Sequence, residues 1–369
     1  MSAVGEKRKD NFQQDGTILQ QDATKKMRTL YPIPMERPPT LKHGAYTREE
    51  LRAMVNEHGF CVIADVIGAE QTEQHRAALF AAYASIHDGD DPEKKPFGFD
   101  LRDPSTLLSA NLPPYKGTGI VNIVEAAGLR ELERIRRDAA VAAVFVKYYG
   151  VESALELAKA NDRFGVMVPT DSRTELVPHV DGDISRVATL DTEDVLQGML
   201  VLQRGAVADQ GFVIYPGSHK TLRRWNTIAN EEKHGGKDWF PVPAEDRHLL
   251  GQGYVINPPA GSMIVWLHAF HGNTTGAGKK TQTGRVVVYT AMYPWQRIGA
   301  DAKKKIANAI VRRTTMNHHL LRPVAQKPGG GQWGKKINWR FAPEFLTNYE
   351  SAEQVPADLL EPKPKPESK

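Results

Sequence analysis

The chain has 369 residues, 40% hydrophobic and 25% charged, with a formal net charge of +4. That suits a globular protein able to bury a sizeable core, as one large domain or two small ones. The small charge, part of it in the tails, disfavours nucleic acid as a partner, and no apolar run is long enough to span a membrane.

In chain order, residues 1–30 are rich in Gln, Asp, Lys and Gly and are expected to be disordered. Pro32, Pro34, Pro38 and Pro39 then set an extended stretch. Residues 1–42 thus read as a tail, 43–350 as a single domain and 351–369 as a second tail rich in Pro and Lys. Lys7-Arg8-Lys9 and Lys25-Lys26 keep a nuclear address open; the chain otherwise reads as soluble, intracellular and cytoplasmic.

Thr47-Arg-Glu-Glu50 has the spacing of a capping box, Leu51, Met54 and Val55 share a helical face, and Gly59 is a stop. A strand follows at Phe60–Ile63. It contains Cys61, the chain's only cysteine, which excludes an intrachain disulfide and reads as a buried thiol. Ala69–Ile86 predicts a second helix, and Asp88–Pro114 a long loop able to cover a substrate. Leu132, Ile135, Ala139, Ala142 and Val146 predict one helix over Leu129–Tyr149. Strands dominate from Arg163 to Tyr293, interrupted by a loop at Asn226–His248, and a helix returns at Ile298–Arg313 before Lys327-Pro-Gly-Gly-Gly331. Short strands with helices gathered at both ends predict a mainly β, α+β protein whose two sheets pack as a jelly roll.

Within the strand region lies His179-Val-Asp181, followed far along by His271 and then Arg285. In an extended segment residues i and i+2 share a face, so His-x-Asp can grip one ion from adjacent side chains. Two imidazoles and a carboxylate suit ferrous iron with positions left open, and an arginine fork suits a carboxylate. Asp183 is a rival to Asp181, and His268 a rival to His271 in Trp266-Leu-His-Ala-Phe-His-Gly-Asn273. Trp266 reads as core, and His219 as a turn-stabilising residue.

The ordered set His179-Val-Asp181, Pro216-Gly-Ser-His219, His271-Gly-Asn273 and Arg285 resembles the phytanoyl-CoA dioxygenase-like branch of the iron(II)/2-oxoglutarate oxygenases. Tyr46–Ile63 is similar to that family's opening helix and first strand, and the likeness spans roughly residues 43–297. It implies a double-stranded β-helix holding Fe(II) on His179, Asp181 and His271. It further implies 2-oxoglutarate and O2 as co-substrates, succinate and CO2 as co-products, and hydroxylation of a C–H bond in a small organic molecule. Arg285 would bind the distal carboxylate of 2-oxoglutarate. The long segment Gly276–Gly284 keeps Arg297 open as the anchor instead, and Gln197 and Thr275 are candidates for hydrogen bonds to the co-substrate. An oxygenase acting on a nucleobase or a protein side chain, and a non-catalytic jelly-roll binding module, remain alternatives. Substrate and oligomeric state are left open.

Overall fold

The computed structural model describes residues 31–91, 93, 106, 119–121, 123–168, 177–182, 184, 195–208, 210–228, 239–274, 284–326, 339–351 and 354–356. The tail of residues 1–30, most of the expected cover at 88–114, the break at 327–331 and most of the C-terminal tail lie outside the described residues. The N-terminal half runs β1 (Ile33–Pro34), β2 (Thr40–Lys42), α1 (Arg48–His58), β3 (Phe60–Ala64), α2 (Ala69–Ala84), β4 (His87–Asp88), α3 (Arg130–Arg137) and α4 (Ala139–Tyr149). Next come β5 (Leu157–Lys159), β6 (Phe164–Met167), β7 (His179–Asp181), β8 (Gln197–Gln203), β9 (Gly211–Ile214), α5 (Leu222–Ile228) and β10 (Trp239–Pro241). The chain continues with β11 (Tyr254–Ile256), β12 (Met263–Trp266), β13 (His271–Thr274), β14 (Arg285–Pro294), α6 (Ala300–Val311) and β15 (Trp339–Arg340).

Two sheets form the jelly roll. One is ordered β1-β11-β9-β13-β7-β10, the other β2-β3-β12-β8-β14, with β5 and β6 both on β14. Pairing is antiparallel except where β1 joins β11 and β2 joins β3, so the expected extended stretch at residues 31–42 is taken up into both sheets. Side chains of the two sheets meet in an interlayer core that includes Met199, Val201, Ile264, Trp266 and Val287 from one and Phe212, Ile214 and Ile256 from the other. Behind the longer sheet, the alternate residues Leu200, Leu202, Met263 and Val288 pack with Leu79, Ile135, Phe145 and Ile306 of the helices. Behind the other, Val180, Val213 and Val255 pack with Leu222 and Trp225 of α5.

Local chemistry sets the element ends. Thr47 caps α1 by accepting from the Glu50 amide (3.1 Å) while Glu50 accepts from the Thr47 amide (2.7 Å). Gly59 ends the helix at φ 85°, and a Cβ there would meet His219 Nδ1 at 2.6 Å, so both backbone and space require glycine. Over Leu129–Tyr149 the expected single helix is instead two. Asp138 leaves the helical region (ψ 130°) and its carboxylate accepts from the amides of Ala140 and Val141, capping α4. The stretch expected to be a loop at Asn226–His248 contains the end of α5, β10 and the start of a 3-10 turn over Ala244–Leu250. Cys61 is buried, and burial pushes its thiol up to about 12. Among the described residues no helix is long and apolar enough to cross a membrane.

Candidate metal centre

β7 and β13 are neighbours whose register sets His271 opposite His179. Val180 points outward into the layer beneath α5, so His179 and Asp181 share the inward face. The two imidazole rings lie 4.4 Å apart between centroids. Asp181 Oδ2 is 3.2 Å from His271 Nε2, and its Oδ1 is 3.8 Å from His179 Nε2. One ligand atom from each of the three residues falls within 4.8 Å of the others.

Each ring is locked by its other nitrogen. His179 Nδ1–H donates to the Val177 carbonyl and His271 Nδ1–H to the Ala269 carbonyl, both at 2.8 Å. A nitrogen facing a carbonyl must carry the proton, so each ring is left with its Nε2, the atom beside Asp181, to offer to a metal. Burial, and then the neighbouring His271, push His179 down to about 4, which keeps it neutral and fit to ligate near pH 7. Burial alone would raise the Asp181 carboxyl; the imidazoles around it, His271 foremost, hold it well below the usual carboxylate range.

His268 is placed differently. Its Nδ1–H donates to the main-chain oxygen of Asp181 at 3.1 Å, and its ring stacks on His319 at 4.3 Å. It therefore supports the Asp181 backbone, and His271 is the histidine brought beside His179. Asp183 and Thr275 lie outside the described residues. His219 donates to the Asn56 carbonyl at 2.8 Å, tying its turn to α1. Trp266 is core, and it stands 5.6 Å from the His271 ring.

Arg285, on β14, is fully buried. Its Nη1 donates to Asn273 Oδ1 (3.1 Å) and meets Met167 Sδ, Nη2 meets Met199 Sδ, and Nε has no hydrogen-bond partner. Asn273 lies two residues beyond His271 on the same strand face. No carboxylate pairs with Arg285 among the described residues, and burial pushes the guanidinium down to about 10. A buried cation held by thioethers and one amide is costly unless an anion arrives. Arg297, by contrast, is exposed past the end of β14. Gln197 sits opposite Trp266 in the β8–β12 register, wholly buried, with neither amide atom hydrogen-bonded.

Sequence reasoning missed several neighbours of this chamber. Trp239 of β10 packs 5.4 Å from the His179 ring yet is 39% exposed, marking the mouth. Asp162 and His318 form a buried ion pair, and the His318 ring lies 5.3 Å from that of Tyr289. The available signals were slight: a charged Asp162-Arg163 directly before a strand, and His318-His319 beyond the last long helix.

No protein-family model matches the chain, and no curated protein matches it. Solved structures do. The hypothetical protein JW0805 from Escherichia coli superposes with a TM-score of 0.52 at 17% identity, covering 84% of this chain and 83% of that one. GlcNAc Inducible Gene 2, GIG2 (DUF1479), from Candida albicans has the same TM-score at 13% identity, covering 90% and 81%. The jelly-roll fold expected from the sequence is shared with these proteins. A looser superposition (TM-score 0.43, 14% identity, 66% of this chain and 83% of that one) is with the epimerase SnoN in complex with Fe3+, alpha ketoglutarate and nogalamycin RO.

Proposed function

We propose that the chain is an iron(II)- and 2-oxoglutarate-dependent oxygenase that hydroxylates a C–H bond of a small organic substrate. One observation carries this reading: three ligand atoms within 4.8 Å of one another open onto the same interlayer space as a buried guanidinium that no carboxylate of the described residues pairs with. His179, Asp181 and His271 would hold the metal. Two neutral nitrogens and one carboxylate on one face leave the rest of the coordination sphere for other ligands, the pattern that suits ferrous iron in oxygen chemistry. Bound there, iron would supply the activation of O2 against the co-substrate.

The chain's own residues prepare the rest. The carbonyls of Val177 and Ala269 fix both imidazole tautomers. Arg285 would take the distal carboxylate of 2-oxoglutarate, and Asn273 steadies one arm of its fork. From His271 to Asn273 the strand rises about 7 Å, on the scale of a five-carbon diacid. Gln197, with both amide atoms unspent, is available to bind the same co-substrate. Phe212 and Trp266 flank the His271 ring and keep bulk water from it.

Purified protein supplied with ferrous iron and ascorbate should convert 2-oxoglutarate to succinate and CO2. Asp181→Ala should lose both this turnover and its one iron per chain by metal analysis. A fully iron-loaded protein that releases no succinate, even with a metabolite extract as substrate source, would overturn the proposal.

A further inference from the structure

The β6–β14 ladder pairs Met167 with Arg285 and Gly165 with Val287, and the Tyr289 amide donates to the Arg163 carbonyl (3.2 Å) just beyond. Alternation puts Arg163, Gly165 and Met167 on one face, and Met167 is known to face inward because its sulfur touches Arg285. A second guanidinium therefore stands on the chamber side, four residues along the strand from the level of Arg285, or about 13 Å. Its Nε and Nη1 are buried and make no hydrogen bond.

The charge around it does not balance. The nearest acid is Asp162, whose Oδ1 is 3.9 Å from Arg163 Nη1 and accepts from the Arg163 amide at 2.8 Å. That carboxylate is fully buried and already pairs with His318 Nδ1. One anion thus serves two cations, and no other acid is paired with either of them among the described residues. The His318 ring rests against Tyr289, within electrostatic reach of both His179 and Asp181. Burial disfavours a charge on His318, and Asp162 overrides that and raises its pKa. A purely structural ion cluster would close its donors on carbonyls, as buried polar groups generally do; this one leaves two guanidinium atoms open.

We propose that Arg163 and His318 recognise an anionic group, carboxylate or phosphate, on the primary substrate, at the far end of the chamber from Arg285. This rests on the oxygenase reading. The anion fixes the substrate's distance from the metal, with Asp162 as the positioning residue that holds both cations in place. Trp239 at the mouth offers a ring face to the substrate's body, so aryl compounds are suitable probes.

The test is calorimetric titration of the full chain, loaded anaerobically with ferrous iron and 2-oxoglutarate, with benzoate, phenyl phosphate and neutral benzamide. At least one anion should bind about tenfold or more tightly than benzamide, and whichever anion is tighter names the group. Arg163→Met should erase that preference, Arg163→Lys should keep part of it, and His318→Gln should weaken it several-fold. All three variants should bind 2-oxoglutarate as the parent does. Benzamide binding as well as both anions, an anion preference surviving in Arg163→Met, or anions that only displace 2-oxoglutarate would each overturn the proposal. Failure of the parent to bind 2-oxoglutarate at all would sink the oxygenase reading instead. Thermal melts check folding, and should Arg163→Met not fold, an undiminished preference in both Arg163→Lys and His318→Gln refutes the proposal.

Discussion

Among the described residues two arginines, Arg136 and Arg285, are buried, and they are treated in opposite ways. Arg136, on α3 behind the longer sheet, donates to the carbonyls of Asp162 (3.0 Å) and Ala127 (2.9 Å), with the charges of Glu133 and Asp162 close by. Arg285, between the sheets, is given two thioethers, one amide oxygen and an unpaired Nε. Burial pushes both guanidinium groups down to about 10, so depth does not tell them apart. Their partners do. A cation that serves the fold is surrounded by acceptors; one held for a ligand keeps its bonding capacity, and the folded state bears a desolvation cost of several kcal/mol until the ligand binds.

The largest expected effects test this contrast directly. Arg285→Met should lower 2-oxoglutarate affinity by a factor of about thirty to several thousand, the range for losing one partner of a buried charged pair. Its unfolding free energy should stay level or rise, because an apolar side chain replaces an uncompensated charge. Arg136→Met should do the reverse, losing about 3–5 kcal/mol in denaturant titration while the folded fraction binds 2-oxoglutarate normally. If both variants lose stability equally and neither loses the co-substrate, the two arginines do the same job and the distinction fails.

The next effect concerns a pair that is satisfied. Asp162→Asn breaks the contact with His318 and should cost about 3 kcal/mol, the low end for a buried pair because the His318 side chain keeps 13% of its surface in solvent. His318 is raised above its ordinary value, so its contribution is full below about pH 6.5 and fades as pH rises through the folded value. Asp162 is lowered, since His318 outweighs the burial that would raise it; its contribution is present above about pH 3.9 and fades as pH falls through the folded value. The gap in Tm between parent and variant should be widest between those limits and narrow on either side. A gap that stays flat from acid to alkaline pH would mean the pair does not supply this stability.

What the sequence revealed, and what it hid, divides along the same line. The capping box at Thr47, the stop at Gly59 and the i, i+2 spacing of His179 and Asp181 are local rules, written within a few residues, and each is legible. The jelly roll was legible from the rhythm of short apolar runs. Asp138 was misread because an apolar period continued through it, while its own side chain was better used as a cap for α4 than inside a helix. The partners of the charged groups were invisible. Arg163 and His318 meet through Asp162 only because the segment after α6 returns to the approach of β6, where the Met316 amide donates to the Asn161 carbonyl, and Met167 and Met199 meet Arg285 only through strand register. Pairing between segments distant in sequence depends on topology, which residue type and spacing do not encode.

A smaller effect separates the two histidines that compete in sequence. His271→Ala removes an Nε2 from the group of three and should leave the chain without iron. His268→Gln disturbs the hydrogen bond to the Asp181 carbonyl and the stack on His319, while His319 itself reaches the same oxygen at 3.3 Å. Iron affinity should then fall by about tenfold, the low end for an outer partner of a metal ligand. Equal losses in the two variants would put His268 among the ligands.

The smallest effect is expected at Gln197, and its direction is informative. A wholly buried amide with no hydrogen bond disfavours the folded state, so Gln197→Leu, close in volume, should stabilise the iron-free protein by about 1 kcal/mol in denaturant titration. If the amide is reserved for the co-substrate, the same variant should also bind 2-oxoglutarate several-fold more weakly, with iron affinity unchanged. A gain in stability without a loss of affinity would make Gln197 a flaw in the core. A loss of stability would mean the amide is already satisfied within the fold, and that open bonding capacity in this chamber begins at Arg285.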